Sequence, residues 1–208
     1  MPRQDTVTTT VYTFDELSEQ AKEKARDNYR TNNLDYDWWD SVYEMADTAG
    51  KCLGIEINAK GKNTPAIYFS GFCSQGDGAC FEGQYAYRKG WRSALLHEFG
   101  PGETLTELLS IGQALQEAQA PHFYKLKATT YQRGHYQHSG CMHVDVVHDE
   151  HRYRDLLDAE DDVRDTLRLF ADWIYNQLEG EHDYLQSNEC IDVALGDGME
   201  FTEDGSAY

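Results

Sequence analysis

Five of the eight histidines fall between His135 and His151, and Cys141 lies among them. Imidazole and thiolate are the ligands that zinc prefers. His135, His138, Cys141 and His143 therefore form a candidate metal set. On a strand, Cys141 and His143 would share one face. A metal centre also needs outer partners that orient its imidazoles. The plainer reading of the same residues is a histidine-rich surface hairpin that titrates near neutrality. The expectation is a protein without a cofactor, with zinc as the alternative.

The second chemistry-bearing stretch runs from Phe69 to Gly83 and contains Gly71, Gly76, Gly78 and Gly83. Glycines let backbone amides approach a ligand closely. Ser74, Gln75, Asp77 and Cys80 are the candidate loop residues. The stretch is not a P-loop, because no Gly-Lys-Ser/Thr follows it, and it lacks the third glycine of a dinucleotide fingerprint. The structural reading is a tight crossover in which Asp77 and Ser74 cap backbone amides. That reading predicts positive φ at Gly76 or Gly78 and Asp77 held by amides. A catalytic reading would need a pocket uniting Cys80, Asp77 and one histidine. A cysteine such as Cys73 or Cys80 is more often a small buried hydrophobe.

The string Phe69-Ser70-Gly71-Phe72-Cys73-Ser74-Gln75-Gly76-Asp77-Gly78-Ala79 also carries a resemblance. Together with Tyr12-Thr13-Phe14-Asp15-Glu16-Leu17-Ser18 and Glu200-Phe201-Thr202-Glu203-Asp204-Gly205, it resembles a family of uncharacterised bacteriophage and prophage proteins. The resemblance implies a genomic setting of small accessory proteins that handle host factors or host defences. It transfers no catalytic residue.

Charge speaks about partners. The chain has a formal charge of −19. Its last forty residues, Leu169 to Tyr208, hold ten Asp or Glu and no Lys or Arg. Such a surface repels nucleic acid and anionic membrane and attracts basic proteins. Asp183, Glu189, Asp192 and Glu200 are the candidate docking acids. Asp155, Asp158, Glu160, Asp161, Asp162 and Asp165 are partly explained by the N-terminus of a helix. Salt adaptation is a general alternative for the acidity. The leading expectation is an anti-defence, anti-CRISPR-like inhibitor that mimics nucleic acid and binds a basic, nucleic-acid-handling host protein. A small-ligand binder or hydrolase built from the Gly-rich loop and the His cluster is the alternative. An antitoxin-like interaction protein is a third.

No apolar run approaches the roughly 20 residues of a membrane span. Met1–Thr6 has no apolar signal core. Five cysteines without a CxxC pair read as free thiols in a reducing compartment. The expected location is the host cytoplasm.

These residues need elements to hold them. Val7–Tyr12 is β-branched and predicts a strand. Thr13-Phe14-Asp15-Glu16 is a capping box. Leu17, Ala21, Ala25 and Tyr29 then predict a helix to about Arg30. A second helix is expected over 37–53, ended by Gly54, with Trp38, Val42, Met45, Ala49 and Leu53 on one face. Trp38 and Trp39 would point about 100° apart on that helix, so Trp38 is expected in the core and Trp39 partly exposed as a contact residue. Ile55–Ile57, Ala66–Phe69 and Tyr85–Tyr87 read as strands, the first two around a turn at 60–63. Helices are expected at 91–99 and 104–119. Phe123–Arg133 and Met142–Val147 read as an antiparallel pair. A long helix over 159–178 should turn Val163, Leu167, Phe170, Ile174 and Leu178 inward. A short helix at 187–194 and an extended piece at 199–202 complete the chain. The pattern predicts an α+β fold, an antiparallel sheet covered by helices with an acidic helical C-terminal region. One domain over 1–208 is expected, with 169–208 packed on it.

Overall fold

The computed structural model describes residues 8–61, 64–149 and 157–208. Val7, the turn residues Lys62 and Asn63, Asp155 and His151 lie outside them. In chain order the elements are β1 (Tyr12–Thr13), α1 (Glu19–Asn32), α2 (Asp40–Leu53), β2 (Ile55–Ile57), β3 (Ala59–Lys60) and β4 (Thr64–Pro65). Next come β5 (Ile67–Ser70), β6 (Gly78–Phe81), β7 (Gly83–Ala86), α3 (Trp91–Glu98) and α4 (Glu103–Gln119). The chain closes with β8 (Leu126–Gln132), β9 (Met142–His148), α5 (Leu157–Gln186), α6 (Asn188–Gly196) and β10 (Glu200–Phe201). The fold is α+β, with antiparallel sheets. Among the described residues no helix is long and apolar enough to cross a membrane.

The chain divides into two compact units. One holds the described residues up to Trp38 together with Gly180–Tyr208, and the other is Trp39–Glu179.

The larger unit is built on a four-stranded sheet in the order β2-β7-β8-β9. Its register places Ile55, Tyr85, Ala128 and Val146 side by side. All four are buried. Strand side chains alternate between faces, so the next row, Glu56, Gln84, Thr129 and Asp145, is exposed on the other face. Gln119 secures the start of β8 from within. Its buried amide accepts from the Leu126 N–H at 3.0 Å and donates to the Leu126 carbonyl at 2.7 Å.

The inward stripe of α5 is as expected: Val163, Leu167, Phe170, Ile174 and Leu178 have no exposed surface. The helix runs beyond the expected end at 178 and stops at Gln186, where Ser187 takes over as the cap of α6. Phe170 meets the edge of Phe81 with centroids 5.5 Å apart and stacks on Trp173 at 5.5 Å. Gly54 ends α2 at φ 85°. A Cβ there would also lie 2.1 Å from the Ala86 carbonyl oxygen, so β7 passes too close for any other residue.

The sequence expected a loop throughout 70–83. The structure instead forms a hairpin, β5 paired with β6, in register from Ile67↔Phe81 to Ser70↔Gly78. All four residues of β6 are buried. Its small residues, Gly78, Ala79 and Cys80, let protein cover both of its faces. Only 71–77 remain as a turn.

The smaller unit packs Phe14, Leu17, Ala21 and Ala25 against Ile191, Leu195 and Phe201. β1 pairs with β10 through Tyr12↔Phe201 and Thr13↔Glu200. Among the described residues the expected strand over 7–12 is only Tyr12–Thr13, because β10 offers just two residues to pair with. The expected unbroken helix from Thr13 is also divided. Phe14–Glu16 is one 3-10 turn, with the Glu16 carboxylate accepting from the Thr13 N–H at 2.8 Å. Leu17 then turns extended, and Ser18 caps α1 by accepting from the Ala21 N–H at 3.2 Å. Helix α2 starts at Asp40, not Asp37, yet Trp38 is buried and Trp39 half-buried as expected.

Truncating the ring at the centre of the larger core should be costly. Phe170→Ala is expected to lower unfolding stability by about 3–5 kcal/mol. Urea denaturation followed by tryptophan fluorescence measures it. A loss below about 1 kcal/mol would contradict the packing described.

Candidate functional site

The turn 71–77 and the loop 136–141 lie together. Ser74, Gln75, Gly76 and Asp77 on one side, with Tyr136, His138 and Cys141 on the other, line one open hollow of about 600 Å³. Gly78 permits this approach. A Cβ at Gly78 would stand 3.0 Å from both Cα and Cδ2 of His138. The glycine is needed for space, not for its backbone angle. The expected positive φ at Gly76 or Gly78 is absent, since neither is among the left-handed glycines. A side chain closes the turn instead. Asp77 Oδ2 accepts from the N–H groups of Ser74 at 2.6 Å and Cys73 at 3.0 Å, as expected for a capping Asp. A Cβ at Gly71 would lie 2.9 Å from that same oxygen.

Aromatic rings brace the turn from behind. The Tyr175 hydroxyl donates to the Gly71 carbonyl at 2.9 Å, and its ring lies 5.5 Å from Phe72. Phe72 stacks on Phe69, which meets Trp39 at 5.5 Å. Trp39 also meets Tyr43 at 6.5 Å and is only half available as a contact.

The candidate zinc ligands are dispersed. Cys141 is not on the strand with His143, as expected, but on the 3-10 turn Ser139–Cys141, where its N–H donates to the His138 carbonyl. His143 sits on the exposed face of β9 and stacks on Tyr131 at 5.5 Å and 3°. His135 lies against Tyr136. His138 Nδ1 accepts from the Gly140 N–H at 2.9 Å. That bond favours the tautomer with its proton on Nε2, which makes Nε2 a donor in this geometry. His148 is buried opposite His122. Among the described residues, no group of three or more His, Cys, Asp or Glu is placed to hold a metal ion.

The cysteines also separate by environment. Cys80 is buried within β6, and its thiol is pushed up to about 12 by desolvation, then by the charge of Glu82 and by Cys141. It does not line the hollow; Cys141 and the turn residues do. Tyr136 and the meeting of Cys141 with Asp77 had no local signal in the sequence. Gly78 was their only trace.

The acidic candidates divide as well. Asp192 is committed to Arg26, which donates through Nε at 2.6 Å and Nη2 at 2.8 Å. Asp204 takes Lys24 at 2.5 Å. Arg30 bonds the Asn188 side chain, the Gln186 carbonyl and Asp27. The cations missing from the tail are therefore supplied by α1. Asp183, Glu189 and Glu200 remain exposed, with Asp183 3.5 Å from His182.

An α+β fold with an open hollow between two loops and an acidic smaller unit does not by itself name a reaction. The chain belongs to a family described as a domain of unknown function (DUF8835), whose model matches residues 38–188. The match takes in the larger unit and the hollow. It leaves out α1, Glu189, Asp192 and Glu200. No curated protein matches the chain, and no solved structure does.

Two outcomes are expected. On alkylation at pH 8, Cys73 and Cys141 should be modified in the folded protein and Cys80 spared, because Cys80 stays a protonated, buried thiol. Peptide mass spectrometry reads this, and early labelling of Cys80 would contradict it. The second concerns acid. The Arg26 hydrogen bonds hold Asp192 below the usual carboxylate range. A depressed carboxylate contributes stability above its unfolded value, about 3.9, that is lost as pH falls through its folded value. The melting-temperature gap between wild type and Asp192→Asn should be widest near neutrality and should close below about pH 4. A gap that is independent of pH would remove the linkage.

Proposed function

We propose that this chain is a phage-encoded anti-defence protein, anti-CRISPR-like in kind, that binds a basic nucleic-acid-handling host protein through its acidic smaller unit. One observation carries the reading. Residues 1–38 and 180–208 contain sixteen acidic and five basic residues. Lys22, Lys24, Arg26 and Arg30 are each already in an ion pair. Asp183, Glu189 and Glu200 are left as outward-facing charge. Carboxylates presented in this way compete for the Lys and Arg that hold a nucleic-acid backbone. The mechanism is competition inside the host cytoplasm, with no direct contact to nucleic acid or membrane. The phage setting rests on the sequence resemblance.

A second reading is favoured by the hollow. Ser74, Gln75, Asp77, His138 and Cys141 come together there from two distant segments. They suit a small polar ligand that accepts from His138 Nε2–H. This reading predicts that His138→Ala and Cys141→Ser alter ligand binding and leave protein binding intact.

The docking reading is tested by Asp183→Lys, Glu189→Lys and Glu200→Lys together. Asp192 is left in place because it holds Arg26. The expected result is an unchanged circular dichroism spectrum. Affinity for a basic partner captured from host lysate should fall at least about tenfold, with a flatter salt dependence. Unchanged affinity and salt slope would sink the proposal.

A further inference from the structure

Another hollow, in the larger unit, has the opposite electrostatic character. It measures about 1160 Å³ and lies over the exposed face of the four-stranded sheet. The register explains its shape. Gln84 and Thr129 are neighbours in one outward row, and Ala86, Lys127 and Val147 form the next. Short side chains at Ala86 and Thr129 make a low floor. Long ones stand around it.

The rim at one end is cationic. Lys51, Arg88, Lys89 and Lys127 all border this hollow. The larger unit is itself acidic overall, so this gathering runs against the charge of its surroundings. Lys51 is held by Asp47 at 2.5 Å and Lys127 by Asp149 at 3.0 Å. The Arg88 guanidinium rests on the Lys51 carbonyl, and Lys89 is exposed and in no ion pair among the described residues. Tyr87 forms an aromatic wall, backed by Tyr124 with centroids 4.3 Å apart. Glu56, at the other end, lies opposite Gln84. It is displaced from the Lys127 row by two residues, about 7 Å along the strand.

From these positions we infer that the hollow binds a nucleoside phosphate. The phosphates fit the end with Arg88, Lys89 and Lys127, where charge-assisted hydrogen bonds are strongest. The short floor leaves room for the sugar and base beside Tyr87. Glu56 accepts from hydroxyl or amino groups, which a bare anion would not offer. Gln84 supplies both a donor and an acceptor for a base edge. A single-stranded nucleic acid is the less favoured occupant, because the surrounding net charge repels a long polyanion while a small ligand meets only the local rim. The inference is independent of the acidic docking surface.

Calorimetric titration at low ionic strength tests it, with ADP, adenosine and inorganic phosphate as probes. ADP should bind saturably at one site. Adenosine and phosphate should each bind at least about tenfold more weakly, since each fills half of the hollow. Lys89→Glu with Lys127→Glu should weaken ADP at least about tenfold. Lys60→Glu, outside the hollow, should leave it unchanged. If the double variant does not fold, Lys89→Glu alone carries the test, because Lys89 makes no ion pair among the described residues. Absence of saturable ADP binding, indifference of ADP to the rim variants, or phosphate binding as tightly as ADP would each overturn the assignment.

Discussion

The larger unit depends on keeping one apolar stripe of α5 out of water. Val163, Leu167, Phe170, Ile174 and Leu178 are wholly buried. Burying each contributes about 1.5–3 kcal/mol relative to exposure. Other segments are placed by contact with that helix. The β5–β6 hairpin lays Phe81 against Phe170, and Gly50 of α2 would bring a Cβ within 3.7 Å of the same ring. Arg168 reaches the carbonyls of Gly140 and Met142. Tyr175 holds Gly71. The helix thus anchors both loops that form the hollow around Asp77 and His138.

Close approach is the second constraint, and glycine is where it shows. Gly78 lies under His138, and Gly54 under the Ala86 carbonyl. At Gly54 the backbone angle and the crowding coincide. At Gly78 only the crowding operates. His138 then spends its Nδ1 on the Gly140 amide. One backbone hydrogen bond therefore favours the tautomer in which this histidine, on the wall of the hollow, carries its proton on Nε2.

The molecule joins two contrasting surfaces. The smaller unit turns Asp183, Glu189 and Glu200 outward while α1 neutralises Asp192 and Asp204. The larger unit gathers Lys51, Arg88, Lys89 and Lys127 around a sheet face. An acidic face proposed to dock a protein and a cationic hollow proposed to take a small phosphate are compatible in one chain.

Local rules determined much of this protein from sequence alone. The 3.6-residue spacing on α5, the alternation on β8 and β9, the Gly54 stop and the Asp77 cap are all short-range consequences of covalent geometry and burial. They yielded the α+β fold and most element positions. The hairpin inside 70–83 was not legible, because its glycines read as a loop until partners cover both faces of β6. The break at Leu17 and the two-residue β1 depend on what Phe14 and β10 can reach across the smaller unit. The tail read as free negative charge, since its cations lie some 160 residues earlier on α1. Likewise, Cys141 rather than Cys80 faces the hollow, because pairing with β5 buries Cys80. Tertiary structure decided these points for one physical reason. Each turns on which atoms from distant segments fill the space beside a residue, and neither propensity nor spacing along the chain carries that information.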